Sequence, residues 1–382
     1  MSGGVDSGVA AAVLVKQGYE VGGFHMKLWS ETQNSKLKTQ SFENKCCDIR
    51  SLEAARKTAW RLGIPFYVVD FSQIFKKKVV DYFLEEYGAG LTPNPCVMCN
   101  RYIKFGKLLD YIIKLGFDYL ATGHYSRIVS KLKAENSKLK TYHLLQAKDK
   151  SKDQSYFLYN LTQAQLAHIL FPVGEYTKTQ VRKMAKEWGL AVAERPESQE
   201  ICFFPESDYR PFLCRQIPQK IIPGEVVDAK GRVIGKHFGL PLYTIGQRHG
   251  FELTTKNLQQ RTKGIIPPYY VVGKDSEKNR LIVGFGKETE KKDFWVKDVN
   301  WIDPNLKFKI ENLKFFVRIR HQGELLNCQI DKLSNYQIKV TLKEPQRGIA
   351  PGQAAVFYRK FQASGFRPQA DFEVLGGGII TN

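Results

Sequence analysis

Three cysteines and one glycine-rich turn carry the residue types that could do chemistry in this chain. Cys96 and Cys99 stand three apart in Thr92-Pro93-Asn94-Pro95-Cys96-Val97-Met98-Cys99-Asn100, and Cys202 lies between polar and aromatic neighbours in Ser198-Gln199-Glu200-Ile201-Cys202-Phe203. The prolines hold the first stretch extended. A helix beginning there would turn its positive end toward the sulfurs and favour the reactive thiolate. Near Met1, Ser2-Gly3-Gly4-Val5-Asp6-Ser7 runs straight into the apolar helix Val9–Val15. Gly3 and Gly4 let backbone N–H groups face a phosphate with no Cβ in the way, and the helix N-terminus favours the same anion. Ser7 adds a hydroxyl, and Asp6 can hold a metal ion or cap the helix. No Walker lysine follows, so this is not the loop that moves a terminal phosphate. Gripping the β,γ-pyrophosphate of ATP would leave the α-phosphate open to attack, which is AMP transfer.

The sulfur pattern alone stays open among a dithiol, half a zinc site and iron–sulfur ligation. Cys46 and Cys47 add sulfur, but adjacent cysteines suit one tetrahedral metal poorly. Cys214 and Cys328 read as buried and inert. Seven cysteines, an odd number, in a long chain without a secretory signal argue for a reducing compartment.

The elements that must position these residues alternate through the first half. Strands are expected over 19–26, 64–70 and 117–122, and helices over 50–62, 73–87, 103–115 and 177–189. That rhythm predicts a doubly wound parallel sheet, with ligands beyond the strand carboxyl ends where Ser2–Ser7, Met26 and Gly123-His124 gather. A phosphate loop in such a sheet follows a buried strand. Here Met1 alone precedes it, so a sheet without the strand that positions its own turn is expected. Beyond Asp208 short alternating runs predict a small β-rich module, and from Phe294 onward a β-barrel. The expected domains are 1–207, 208–284 and 285–382.

With 382 residues the chain exceeds one ordinary core, and no run of about 18 apolar residues predicts a membrane span. Lys and Arg total 58 against 38 Asp and Glu, a net charge of +20 that suits a polyanion. The repeats Ser35–Lys38, Ser130–Lys133 and Ser137–Lys140, each Ser-Lys-Leu-Lys, read as solvated loop inserts.

Eight stretches stand in order: Ser2–Ser7, Phe24–Trp29, Thr92–Asn100, Ala121–Tyr125, Lys152–Phe157, Ser198–Phe203, Tyr243–Arg248 and Gly376–Ile380. From Met1 to the C-terminus the series resembles the tRNA-specific 2-thiouridylases of the PP-loop ATP pyrophosphatase superfamily. The resemblance implies that Ser2, Gly3, Gly4, Val5, Asp6 and Ser7 bind ATP with Mg²⁺, Met26 and Gly123 bordering adenine and ribose. It implies adenylation of O2 of the wobble uridine in tRNAs for Lys, Glu and Gln. A persulfide on Cys202, loaded by a sulfur-donor protein, would then deliver sulfur to C2. AMP leaves, and Cys99 attacks the persulfide to release sulfur or close a disulfide with Cys202. By the same resemblance Asn94, Pro95, Cys96, His124, Lys152, Asp153, Gln154, Arg320, His321 and Gln353 would touch the tRNA. The implied setting is cytoplasmic, or an organellar matrix in a eukaryote. Many members carry Asp where Cys96 stands. The resulting trio Cys96, Cys99 and Cys202 opens a second route behind the persulfide, a [4Fe–4S] cluster with one iron free for sulfide.

Three rival classes share part of this pattern. An ATP-dependent aminating ligase needs no cysteine pair, an RNA-binding protein needs no AMP formation, and a dithiol reductase leaves the phosphate loop unexplained.

Overall fold

The computed structural model of the chain describes residues 1–29, 31, 49–132, 140–195, 201–204, 206–308, 314–332, 337–361 and 371–381. Cys46, Cys47, Ser198 and the first Ser-Lys-Leu-Lys repeat lie outside them.

Helix α1 (Val5–Lys16) is apolar on all sides because it is enclosed, with Val5 and Gly8 through Leu14 all buried. It packs on α2 (Ile49–Arg61) and on helix Lys178–Glu187, whose start is closed by a Thr177–Gln180 capping box. The N-terminal strands form two separate parallel pairs. β1 (Gly23–Lys27) pairs with β2 (Phe66–Asp70), and β3 (Leu120–Ala121) pairs with β6 (Ile169–Leu170). Among the described residues no strand bridges β1 to β3. Met1 lies against β1: its ammonium donates to the Phe24 carbonyl, and its own carbonyl accepts from His25 Nδ1 at 2.9 Å. Burial brings that terminal amine down to about 5.

The strand expected over 117–122 is reduced to Leu120–Ala121, and the helix expected over 103–115 begins eight residues sooner. Asn94 caps it by accepting from Val97 N at 3.3 Å, with Pro95 in the first helical position. The helical run then continues through a π segment, Cys99–Leu108, to Lys114.

The middle unit is a five-stranded sheet ordered β10-β11-β7-β8-β9, built from β7 (Gly224–Val227), β8 (Val233–His237), β9 (Glu252–Leu253), β10 (Tyr270–Asp275) and β11 (Arg280–Gly284). The C-terminal unit is a closed six-stranded barrel: β12 (Glu290–Trp301), β13 (Phe315–Arg318), β14 (Leu326–Lys332), β15 (Gln337–Arg347), β16 (Ala354–Phe361) and β17 (Asp371–Thr381). The β12–β17 pairing closes it. The glycines of β17 permit this closure: a Cβ at Gly376 would overlap the Asn300 carbonyl oxygen on the facing strand.

Two expectations are corrected. Ser130 to Leu132 of the second repeat belong to β4 (Ser126–Leu132), which pairs with β5 (Lys140–Gln146) as a hairpin; of the third repeat only Lys140, the first residue of β5, is among the described residues. The reason is the outer edge of β5, which pairs with β17 through Val374 and Leu144, extending the barrel sheet into the N-terminal unit. Cys214, expected to be buried, is exposed on helix Tyr209–Gln216. Cys328, also expected to be buried, is half-buried, and desolvation pushes its thiol up to about 12.

Candidate active site

One cavity of about 850 Å³ receives both chemical segments of the chain. Its nucleotide end is lined by Ser2, Gly4, Val5, Asp6, Ser7 and Gly123, with Met26 on the adjoining wall. Gly3 takes φ +74°, and a Cβ there would overlap the Ser51 carbonyl oxygen, so only glycine fits this turn. Ser7 Oγ donates to Gly4 O at 3.1 Å and accepts from Ser2 N at 3.2 Å, folding the loop over the start of α1. Gly123 is also tightly packed, since a Cβ would stand 2.7 Å from Ser7 N. Arg195 donates to Gly3 O at 3.0 Å and Ser51 Oγ at 3.1 Å from behind.

Asp6 does not cap α1, whose N-cap is Gly4 without a side-chain bond. Its carboxylate instead accepts from Lys178 Nζ at 2.7 and 2.8 Å and from Tyr125 OH at 2.8 Å. Lys178 is buried, so a positive charge is held directly behind the phosphate loop.

The thiol end of the same cavity is lined by Pro95, Cys96, Cys99, Asn100 and Cys202. Cys96 is exposed, Cys99 buried and Cys202 half-buried. Phe203 and Phe204, directly after Cys202, are fully enclosed among Phe83 and Phe212, and this same aromatic cluster contains Cys99. The sulfur-bearing turn is therefore held by the burial of its two neighbours, each worth about 1.5–3 kcal/mol. Among the described residues no group of three or more His, Cys, Asp or Glu side chains could hold a metal ion. The trio Cys96, Cys99 and Cys202 accordingly does not fit a cluster-ligand set, and the iron–sulfur alternative lacks geometric support.

His124, Lys152 and Gln154 line the same cavity. His124 is buried and flanked by Phe105 and Phe171. Burial, reinforced by the Lys104 ammonium, holds its pKa well below the ordinary histidine value, so the ring is neutral. The network assigns Nδ1–H to Thr122 Oγ1 at 2.7 Å and leaves Nε2 facing Lys104 Nζ at 3.5 Å. Gln154 accepts from Tyr125 N at 2.9 Å, which fixes its side-chain amide.

Asp153 lies beneath this turn. Its carboxylate is enclosed and takes hydrogen bonds from Gln146 Nε2, Ala147 N, Ser155 N and Ser155 Oγ, and it pairs with barrel Arg318 at 2.7 Å. Arg320 and His321 sit at the end of β13, where the His321 ring packs on Phe157 with centroids 4.4 Å apart. Gln322 Nε2 donates to Ser151 O at 3.3 Å, joining this corner to the Lys152 turn. Asn94 lies at the helix cap, and Gln353 turns its amide inward to Thr92 O at 3.0 Å. Gln247 closes a turn of the middle unit, accepting from Thr244 N and donating to His249 O. Lys178, Arg195 and Arg318 escaped the sequence reading, because each acts on a partner more than a hundred residues away.

Comparison with known proteins adds a separate line of evidence. Residues 1–206 match a family described as tRNA methyl transferase HUP domain, residues 210–285 the tRNA methyl transferase PRC-barrel domain, and residues 291–380 the aminomethyltransferase beta-barrel domain. The chain is 44% identical over 383 residues to the tRNA-specific 2-thiouridylase MnmA of Carboxydothermus hydrogenoformans, covering all of this chain and 96% of the relative. It is 44% identical to that of Symbiobacterium thermophilum, covering 90% of the relative, and 42% identical to that of Acetivibrio thermocellus, covering 97%.

Proposed function

The chain belongs to the family of tRNA-specific 2-thiouridylases, and from that premise we propose that it exchanges oxygen for sulfur at C2 of the wobble uridine of tRNA. The observation that carries the reading is the shared cavity: the phosphate loop and Cys99 and Cys202 line one space of about 850 Å³. Magnesium bound with ATP would screen the phosphate charge during attack at the α-phosphate, while Asp6 stays engaged by Lys178. Ser2, Gly4 and Ser7 present N–H and hydroxyl groups to the β,γ-pyrophosphate, and Lys178 adds positive charge behind them.

O2 of the uridine attacks the α-phosphate, and pyrophosphate leaves. Adenylation turns a poor oxygen leaving group into AMP. The terminal sulfur of a Cys202 persulfide attacks C2 and expels AMP. The Cys99 thiolate then attacks Cys202 Sγ, which breaks the sulfur–sulfur bond, frees the thiocarbonyl and leaves a Cys99–Cys202 disulfide for an external thiol to reduce. Lys152 and Arg320 would supply phosphate contacts, and Gln154, on the cavity wall, and Asn94, at the helix cap, would read a flipped base's edge. Neutral His124 offers an uncharged face for stacking. A persulfide-carrying protein is the sulfur source, and tRNAs for Lys, Glu and Gln are the substrates.

The experiment is incubation of unmodified tRNA-Lys transcript with protein, Mg-ATP and a persulfide source, read by nucleoside mass spectrometry. An oxygen-to-sulfur mass gain that needs ATP and vanishes in Cys202→Ala is expected. Amination, or thiolation undiminished in Cys202→Ala, would overturn the reading.

A further inference from the structure

Thr92 is the residue at which the three units of the chain meet. Its N–H donates to Pro351 O at 2.9 Å, and its carbonyl accepts from Gln353 Nε2 at 3.0 Å, both in the barrel turn between β15 and β16. Its hydroxyl reaches Thr244 Oγ1 of the middle unit at 3.4 Å. The contact is close: Gly352 takes φ +93°, and a Cβ there would stand 2.7 Å from Thr92 N and 2.9 Å from its carbonyl carbon. The turn is itself fixed to β17, with Gly352 N donating to Ile380 O at 2.9 Å and Ile380 N to Gln353 O at 2.8 Å. Both backbone groups of Thr92 are thus held by a rigid neighbour. From Thr92 the chain runs through Pro93, the cap Asn94 and Pro95 into the helix that carries Cys96 and Cys99. The prolines fix φ, so the orientation given to Thr92 passes on to the helix start.

We infer that Gln353 is a positioning residue for the sulfur chemistry: by holding the Thr92 carbonyl it sets where Cys99 stands in the cavity. The consequence for thiolation rests on the proposed function, whereas the placement of Cys99 does not. Without the Gln353 donor, the Thr92 carbonyl has lost a partner in a half-buried seam, and the helix start is free to shift.

The test is Gln353→Met, which keeps the side-chain length and removes the donor. In tRNA-free protein the alkylation rate of Cys99 is measured by peptide mass spectrometry against exposed Cys214 as internal reference. That ratio should rise about threefold or more, and Gln353→Lys, which restores a donor, should bring it back. Thiolation kcat should fall about tenfold while tRNA Kd stays within about twofold, because a small misplacement of a reacting group costs rate more than binding. Gly352→Ala should act in the same direction and further. An unchanged Cys99 ratio, or a weakened tRNA Kd with kcat intact at saturating tRNA, would overturn the inference. If the wild-type protein forms no thiouridine at all, the proposed function falls, and the alkylation ratio still decides the role of Gln353.

Discussion

At the nucleotide end of the cavity the partners of the glycine turn seen among the described residues lie in the N-terminal unit: Ser2 with Ser7, Gly3 against Ser51, Asp6 on Lys178. At the thiol end the loop before Cys99 is held from outside, by Pro351 and Gln353 of the barrel and by Thr244 of the middle unit. The Lys152 turn follows the second pattern, since Asp153 beneath it pairs with Arg318 of the barrel. One end is a local device that its own domain completes. The other takes its geometry from the whole chain, which suits a step that must wait for a large substrate to be seated.

Breaking the remote support should cost most. Arg318→Met leaves the enclosed Asp153 carboxylate without its charge partner, and about 3–5 kcal/mol of stability should be lost. Urea unfolding measures it, and a loss below about 1 kcal/mol would mean the barrel is not what seats the Lys152 turn. Breaking the local device should cost less in stability and more selectively. Gly3→Ala forces a Cβ onto the Ser51 carbonyl at φ +74° and should weaken ATP binding about a hundredfold, while Cys202 alkylation stays at the wild-type rate. Calorimetric titration with Mg-ATP reads the first, and a parallel change in Cys202 would erase the contrast between the ends.

The smallest effect concerns the middle unit. Lys274 Nζ donates to Gly90 O at 2.7 Å, two residues before Thr92, and burial brings its pKa down to about 7. Between that value and the ordinary 10.5 the unfolded chain binds more protons than the folded one, so stability rises with pH across the window. Below about 7 both states carry the proton and the slope vanishes. Lys274→Met should flatten the rise, a fraction of the ~1.4 kcal/mol per pH unit that one full proton gives. Urea midpoints at neutral and alkaline pH would show it; an undiminished rise in the variant would assign the slope elsewhere.

What could be read from the residues follows the same division. The phosphate loop was legible because Ser2, Gly4 and Ser7 bond one another within a few positions, although Ser51 and Arg195, which hold Gly3, could not be read the same way. The start of the cysteine helix was half legible: the prolines marked the loop, yet the Asn94 cap beginning the helix at Pro95 went unread. Asp153 and Gln353 entered as contacts to RNA by resemblance. The structure gives their polar atoms partners 165 and 261 residues away, pairings that no periodicity encodes. The second Ser-Lys-Leu-Lys repeat misled for a related reason. Its composition is that of a solvated loop, yet Ser130 to Leu132 pair with β5, whose other edge meets β17. The βαβ rhythm and the barrel strands, set by local alternation, were legible in outline, while the strand expected over 117–122 shrank to Leu120–Ala121.

The β5–β17 seam bears on how the protein is made. His143 bonds Glu373 across it, 230 residues further on. At roughly 5–20 residues per second, a ribosome needs on the order of ten to forty seconds to deliver that partner. Throughout that interval the outer edge of β5 is an unpaired template, open to a strand from any neighbouring chain. Lys131 and Lys140 on the hairpin, charges of the kind that keep edges apart, then serve the nascent polypeptide as much as the finished one.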